Sequence, residues 1–465
     1  MKRIAILTAG GDTPALNATI HGAVTYANQR EIEVLGLLAG FNALLQPAIP
    51  IVRLNPLFQT IPELDPTYGG TVLGSSRTYV HPEETERQAR MRDALAALDL
   101  DGLICIGGDG TMNGLQPLCR HLPVVLAPKT IDNDLGLNYP KEPEKYDRID
   151  PDSDEKHNHR VRPDFQAQEN EPLDLEQMVN YVTPGYATAV YVSSHGVTRV
   201  RTTAESHRRV AIIEVMGRHS GFIALGSAYG QPDLILIPEF PIDPQAVATR
   251  VQQIFERKQN VVIVCGEGIV TEAGELLGGA AQSTDPAGNV LLSGAAEALR
   301  AMLIASIGDA FFEATADKSA SRAIFTRKVG HTQRGGRPIY FDQFYGAQLG
   351  GQAVRMLVEG QNNAVSTLGW SADDGFQVAA TPGSVLRDRW GRIHAREVHR
   401  SFYDPAHLRL SPHGIEYLLP IFTNAIAADD MEHIRSTLFD SGNLTRPYHS
   451  VNADIAKRTE YVERR

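Results

Sequence analysis

Residues 102–111 read Gly-Leu-Ile-Cys-Ile-Gly-Gly-Asp-Gly-Thr, and residues 126–134 read Leu-Ala-Pro-Lys-Thr-Ile-Asp-Asn-Asp. Each stretch follows or contains a short apolar run, 103–106 in the first case and 124–127 in the second. Such runs predict strands that are buried on both faces of a parallel sheet. In open α/β sheets, ligands bind at the carboxyl ends of the strands, which is where both polar clusters lie. This stretch therefore predicts an α/β fold with a ligand site at this sheet edge.

The first cluster offers exposed backbone and a single carboxylate. Glycines at 107, 108 and 110 allow backbone N–H groups to approach an anion closely, as a phosphate site requires. Asp109 lies between them and is a suitable ligand for Mg²⁺. By itself, however, a turn of this composition is more often an ordinary connection between a strand and a helix.

The second cluster adds one cation and two acids. Lys129 can neutralise phosphate charge, while Asp132 and Asp134 are spaced to divide the roles of base and metal ligand. An isolated Asp-Asn-Asp is usually a solvated loop. Two such clusters close together, each after a strand, favour a phosphoryl-transfer site.

The bulk composition excludes several classes of partner. The chain has 465 residues and a net charge of −11, and it has no long run of Lys or Arg. Nucleic acid and anionic membranes are therefore not expected partners. We expect Cys105, Cys119 and Cys265 to be reduced thiols, because they are too scattered for a disulfide framework or a zinc site. No apolar stretch has the length of a membrane span and no signal peptide precedes the first strand, so we expect a cytoplasmic protein.

The length and a second set of strands predict two domains. Apolar runs at 210–215, 234–237 and 261–265 are again followed by polar motif residues at their carboxyl ends. We therefore predict two similar three-layer α/β domains with mainly parallel sheets and an active-site cleft between them.

Several further motifs carry a resemblance to a known family. Together with the two clusters above, and in the same order, they resemble motifs of the phosphofructokinase family at residues 10–14, 69–77, 214–221, 267–268 and 330–336. The family resemblance implies a donor domain at 1–135 plus about 333–385. It also implies a sugar-phosphate domain at 183–332, extended by about 386–465. Residues 136–182 are acidic and lack matching motifs, so we expect a charged surface insertion there.

The resemblance implies roles for individual residues. The donor would contact Gly11, Arg77, Gly108, Asp109, Gly110 and Thr111. The sugar phosphate would contact Thr130, Asp132, Asp134, Arg209, Met216, Gly217, Arg218, Glu267, His331 and Arg334, with His331 and Arg334 on its 6-phosphate. Catalysis would depend on Asp132 as the base and on the charges of Arg77, Arg218 and Lys129. Mg²⁺ would be held by Asp109 and Asp134.

The implied reaction is Mg²⁺-dependent transfer from ATP to O1 of fructose 6-phosphate, giving fructose 1,6-bisphosphate. Gly110 favours ATP, since pyrophosphate enzymes of the family commonly carry an aspartate there that excludes the α-phosphate. Lys129 favours pyrophosphate, and Leu45 stands where an adenine-stacking aromatic was expected. Pyrophosphate therefore remains an alternative donor. A catalytically silent regulatory subunit is a remote alternative, and the intact acids and arginines argue against it.

The resemblance also implies a homodimer or homotetramer. In tetrameric relatives, the arginine matching Arg209 reaches the active site of a neighbouring subunit. A second arginine of that kind is replaced here by Phe325. Arg322 and Arg327 are both candidates for the missing contact.

Overall fold

The computed structural model describes residues 1–78, 84–150, 159–165, 171–284, 290–427 and 449–464. Its strands in chain order are β1 (Arg3–Thr8), β2 (Glu33–Leu37), β3 (Ala48–Arg53), β4 (Gly102–Gly107), β5 (Val124–Pro128), β6 (Tyr146–Arg148), β7 (His159–Val161), β8 (Val210–Val215), β9 (Leu234–Leu236), β10 (Val261–Gly266), β11 (Gly279–Thr284), β12 (Val290–Ser293), β13 (Ile324–Lys328), β14 (Ala364–Ser371), β15 (Gly375–Pro382), β16 (Tyr403–Asp404), β17 (Arg409–Leu410) and β18 (Glu460–Glu463). The α-helices are α1 (Leu16–Asn28), α2 (Thr85–Ala97), α3 (Asp109–Gly114), α4 (Tyr186–His207), α5 (Phe222–Gly226), α6 (Pro244–Lys258), α7 (Ala295–Ile307), α8 (Asp309–Ala316), α9 (Ala320–Ala323), α10 (Tyr340–Val358), α11 (Pro412–Phe422) and α12 (Val451–Arg458).

The first domain is built on an eight-stranded sheet of order β15-β14-β5-β4-β1-β2-β3-β18. Its central strands β14, β5, β4, β1 and β2 are parallel, and antiparallel strands extend both edges. Along β4, Leu103 and Cys105 face a core shared with α2 and α3, while Ile104 and Ile106 face a core shared with α1 and α10. The run is continuously apolar because both of its faces are covered.

The second domain is built on a smaller sheet of order β13-β8-β10-β9, in which all neighbours are parallel. Along β8, Val210 and Ile212 pack toward α6 and α7, whereas Ala211 and Ile213 pack toward α4, α5 and α11. The predicted α/β class, with two three-layer domains and mainly parallel sheets, is therefore confirmed. The two domains differ in size, because the first sheet also receives strands from distant parts of the chain.

The predicted domain boundaries need a correction at the C-terminal end. β18 pairs antiparallel with β3, so residues 460–463 belong to the first sheet and not to the second domain. The physical reason is that β3 would otherwise be an edge strand with unpaired backbone groups.

The 136–182 segment is also less superficial than its acidic composition predicts. Leu137, Tyr181 and Val182 are fully buried, and the buried Arg148 pairs with Asp388 of the C-terminal segment at 2.9 Å. The ends of the segment thus pack against other parts of the chain, although they have no core of their own. Residues 151–158 and 166–170 lie outside the described residues.

The cysteines are free thiols, as predicted: Cys105 and Cys265 are buried and Cys119 is partly buried. Burial raises the pKa of the Cys105 thiol, which keeps it protonated. Across the ranges that the structure describes, no helix is long and apolar enough to cross a membrane.

Candidate active site

A cavity lies at the carboxyl ends of β1, β4 and β5, and the second domain contributes Arg218 to its wall. The predicted residues that line it are Gly11, Arg77, Gly108, Asp109, Gly110, Thr111, Lys129, Thr130, Asp132, Asp134, Arg218 and Arg334. Parallel strands bring their carboxyl ends to one sheet edge, which is why clusters distant in sequence meet here. The cavity therefore combines several cations with three carboxylates.

The turn after β4 leaves open space beside Gly110. A side chain at Gly107 would collide with Thr111, so the chain can pass directly from the strand into α3 only with glycine there. Gly110 N donates to Asp109 Oδ1 at 2.7 Å, which orients that carboxylate at the start of the helix. A Cβ placed at Gly110 would meet no described atom within 4 Å. This part of the wall is open to a ligand.

Lys129 is the most deeply buried cation of the cavity. Its Nζ donates to the carbonyl oxygen of Gly11, in the glycine turn that follows β1. Burial, together with the nearby Arg334 guanidinium, lowers the pKa of Lys129 to about 7. A bound anion would favour the charged form of such a lysine.

Asp132 is held by its backbone, while part of its carboxylate is left unpaired. Its N–H donates to Thr130 Oγ1 at 3.0 Å, and its carbonyl accepts from Ser220 Oγ of the second domain at 2.7 Å. The side chain is only 8% exposed, and Asp132 Oδ1 has no hydrogen-bond partner among the described residues. A buried, unpaired carboxylate oxygen normally has a functional reason.

Arg218 reaches the cavity from a tight turn after β8. Its φ of 53° lies in the left-handed region, and its N–H donates to Glu267 Oε1 at 3.1 Å. Burial raises the pKa of Glu267, and the negative charge of Asp132 raises it further. Glu267 thus supports the turn that presents Arg218, although it does not line the cavity itself.

Arg209, Met216, Gly217, Glu267 and His331 were also predicted to contact the sugar phosphate, but they lie outside this cavity. His331 is exposed in a 3-10 helix at Gly330–Gln333. Arg334 was expected beside His331 on the 6-phosphate, but its Nη1 donates to the carbonyl oxygen of Asp12 at 3.3 Å, on the donor side. The two members of that predicted pair therefore face different surroundings.

Arg209 lies at the other end of the second sheet. It directly precedes β8, a strand of six residues that spans about 20 Å. Its guanidinium lies 5.9 Å from the centre of the Phe325 ring, and the Arg327 guanidinium lies 5.2 Å from the same ring. Arg327 and Arg209 therefore lie beside the same aromatic ring.

Phe41 is a cavity residue that sequence reasoning missed. It lines the wall but is only 2% exposed, and both Phe41 and Leu45 pack in the core of the first domain. The available signal was Gly40, whose φ is +62° and whose missing side chain leaves room for the Thr8 carbonyl. A turn that tight places residue 41 next to the end of β1.

Two carboxylates of the cavity are candidate ligands for a metal ion. Within the described ranges no group of three or more His, Cys, Asp or Glu side chains could hold a metal ion. Asp109 and Asp134 nevertheless line the same cavity. This pair fits Mg²⁺, which typically takes one or two protein carboxylates and fills its other positions with water and substrate phosphates.

The fold and the cavity are those of a two-domain α/β phosphotransferase. Residues 3–138 and 174–357 match the family model of phosphofructokinase, and the chain belongs to that family.

The similar proteins that are named differ in their phosphoryl donor. The chain is 31% identical to a pyrophosphate–fructose 6-phosphate 1-phosphotransferase of Amycolatopsis methanolica, over 77% of this chain and 88% of that protein. It is 32% identical to ATP-dependent 6-phosphofructokinase 3 of Streptomyces coelicolor, over 79% of this chain and 90% of the relative. A solved pyrophosphate-dependent phosphofructokinase from Nitrosospira multiformis covers 92% of both chains with a TM-score of 0.67 and 18% identity, which shows the shared fold.

Proposed function

We propose that the protein transfers a phosphoryl group from ATP to O1 of fructose 6-phosphate, giving fructose 1,6-bisphosphate. The observation that carries this choice of donor is the open space beside Gly110, where a Cβ would meet no described atom within 4 Å. A nucleotide needs that space for the phosphate that pyrophosphate lacks.

Asp132 is the proposed general base. Asp132 lines the cavity, and its carboxylate, whose Oδ1 is unpaired, would accept the proton of the sugar 1-hydroxyl as that oxygen attacks the donor. Arg77, Arg218 and Lys129 line the same cavity and would stabilise negative charge on the transferred group. Phosphoryl transfer depends on such positioning and electrostatics more than on covalent chemistry with the protein.

Asp109 and Asp134 are the proposed Mg²⁺ ligands. When bound, the ion would neutralise part of the negative charge of the donor. The two carboxylates would hold it at the wall of the cavity that they line.

The remaining acceptor contacts are proposed on the family resemblance. They comprise Thr130 in the cavity, Met216, Gly217, Glu267, His331 and Arg334 around it, and Arg209 from a second subunit of a homodimer or homotetramer. We also propose a cytoplasmic location, in keeping with a glycolytic reaction on phosphorylated metabolites.

Pyrophosphate is the second candidate donor, and Lys129 favours it. A buried ammonium beside the Gly11 turn suits a small, highly charged anion. The named relatives include enzymes of both types.

One assay decides between the donors. Purified protein with fructose 6-phosphate and Mg²⁺ should form fructose 1,6-bisphosphate with ATP at a kcat/KM at least about tenfold above that with pyrophosphate. Turnover with pyrophosphate and none with ATP would overturn the proposed donor and show that Lys129 outweighs Gly110. Turnover with neither donor, in correctly folded protein, would favour a regulatory subunit.

A further inference from the structure

Arg396 lies in the C-terminal segment, beyond the residues that match the family model. It is only 1% exposed, and it packs with its guanidinium 5.1 Å from the centre of the Phe222 ring. Burying a charged side chain is unfavourable unless each of its donors finds an acceptor. The identity of those acceptors indicates what the buried charge is for.

The guanidinium of Arg396 binds main-chain carbonyls around the loop that carries Asp132. Its Nη2 and Nε donate to the carbonyl oxygen of Asn133 at 2.6 and 3.1 Å, and its Nη1 donates to that of Asn180 at 2.6 Å. The backbone N–H of Arg396 also donates to the carbonyl oxygen of Asp134 at 2.9 Å. One residue thus fixes two successive carbonyls that directly follow Asp132.

The loop is also held through Asn133. Asn133 has a φ of 57°, in the left-handed region that asparagine adopts more readily than most residues other than glycine. Its side chain is held as well: Nδ2 donates to Tyr417 Oη at 2.7 Å, and Oδ1 accepts from the N–H of Thr183 at 2.9 Å. Tyr417, like Arg396, belongs to the C-terminal segment.

The carboxylate of Asp132 has no comparable support of its own. Its Oδ1 lacks a hydrogen-bond partner among the described residues, so the direction of the carboxylate depends on the backbone that carries it. A shift of about 1 Å in a reacting group can lower a rate by roughly 10²-fold.

We propose that Arg396 is a positioning residue for phosphoryl transfer, which fixes the main chain of residues 133 and 134 and thereby aims Asp132 at the acceptor hydroxyl. The C-terminal segment then has a catalytic purpose in addition to covering the second domain. The proposal rests on the proposed role of Asp132 as the base.

A matched control is available in the same part of the chain. Arg148 is also a buried arginine, and it pairs with Asp388 of the C-terminal segment at 2.9 Å. This ion pair does not involve the Asp132 loop. Replacing either arginine by lysine keeps the positive charge but removes the fork that binds two acceptors at once.

The test compares Arg396→Lys with Arg148→Lys in the full-length protein. We expect Arg396→Lys to lower kcat by about tenfold to a hundredfold, with the KM for fructose 6-phosphate changed by less than about threefold. Hydrogen exchange of the peptide spanning 130–136 should become faster. Arg148→Lys should lower the Tm without either effect. Normal kcat and normal exchange in Arg396→Lys, with only a lowered Tm, would overturn the proposal.

Two further variants complete the design. Tyr417→Phe removes only the hydroxyl that Asn133 Nδ2 contacts, so it gives a second test should Arg396→Lys fail to fold. We expect this variant to lower kcat as well. An unchanged kcat would then contradict the proposal. Asp132→Asn separates the two claims. Normal activity of Asp132→Asn would overturn the base itself, whereas a large loss there beside normal Arg396→Lys and Tyr417→Phe would overturn the positioning role alone.

Discussion

The donor side and the acceptor side of the proposed site are built differently. Every residue predicted for the donor lies on one cavity at one edge of the first sheet. The residues predicted for the sugar phosphate are divided: five of them line that cavity as well, whereas His331 lies on the surface and Arg209 at the opposite end of β8. A binding site formed by loops at a single sheet edge can be built from one chain alone. A site that uses Arg209 requires a second copy of the chain, because that side chain starts about 20 Å from its own cavity.

Asp132→Asn should have the largest effect, since Asp132 lies where the two sides meet. Loss of a general base lowers kcat by roughly 10²–10⁴-fold, and the fold should be unchanged. Steady-state kinetics with the preferred donor measure the loss. Asp93→Asn, on the exposed face of α2, is the control and should keep normal activity. Near-normal turnover of Asp132→Asn would contradict the mechanism.

Gly110→Asp tests the donor side alone. The new carboxylate would fill the open space and repel a nucleotide phosphate, a penalty of several kcal/mol that corresponds to roughly 10²–10³-fold in kcat/KM for ATP. Turnover with pyrophosphate, which does not need that space, should be reduced far less. The ratio of the two kcat/KM values is the measurement. Equal losses with both donors would mean that Gly110 does not discriminate between them.

Arg209→Ala tests whether the acceptor side is shared between subunits. We expect kcat/KM for fructose 6-phosphate to fall about tenfold to a hundredfold, the usual result of removing a charged contact to phosphate. Mixing this variant with Asp132→Asn under conditions of subunit exchange should restore part of the activity, because some hybrid sites have both residues intact.

A control and one contrary result complete this test of a shared acceptor side. Arg208→Ala, at an exposed neighbouring position, is the control and should behave as the unmodified protein. No recovery in the mixture, measured alongside proven exchange of subunits, would place the acceptor site within one chain.

The pH dependence of donor binding should show a smaller effect, caused by Lys129. Its pKa is lowered to about 7, so the charged fraction in the free protein falls up to about tenfold per pH unit above that value. The KM for the donor should therefore rise between pH 7 and 9. In Lys129→Met the same curve should be flatter. A curve of unchanged slope in that variant would assign the dependence to another group.

The same shift predicts how the stability of the ligand-free protein changes with pH. An unfolded lysine titrates near 10.4, so between about pH 7 and 10 the unfolded state binds the extra proton. The contribution of Lys129 to the free energy of unfolding therefore rises with pH across that window. Comparing Lys129→Met with the unmodified protein by denaturant titration isolates this contribution.

Sequence reasoning succeeded where a pattern reflects packing on two faces. The run 103–106 had to be a central strand, and the glycines after it had to form a turn at the ligand edge. It failed where the deciding contact involves main-chain atoms. Arg396 binds carbonyl groups, and neither its own type nor its spacing from Asn133 marks that contact. Phe41 was missed for a related reason, because its position depends on a left-handed turn at Gly40.

The terminal strand β18 has a consequence for self-association. A bare β3 would present a row of free N–H and C=O groups, which is a template for pairing with another chain. β18 pairs with those backbone groups and becomes the edge strand of the sheet. It carries Glu460 and Glu463, whose charges oppose the approach of a further strand. Removal of residues 460–463 should therefore expose β3 for pairing with another chain, and the resulting association should show first as concentration-dependent light scattering.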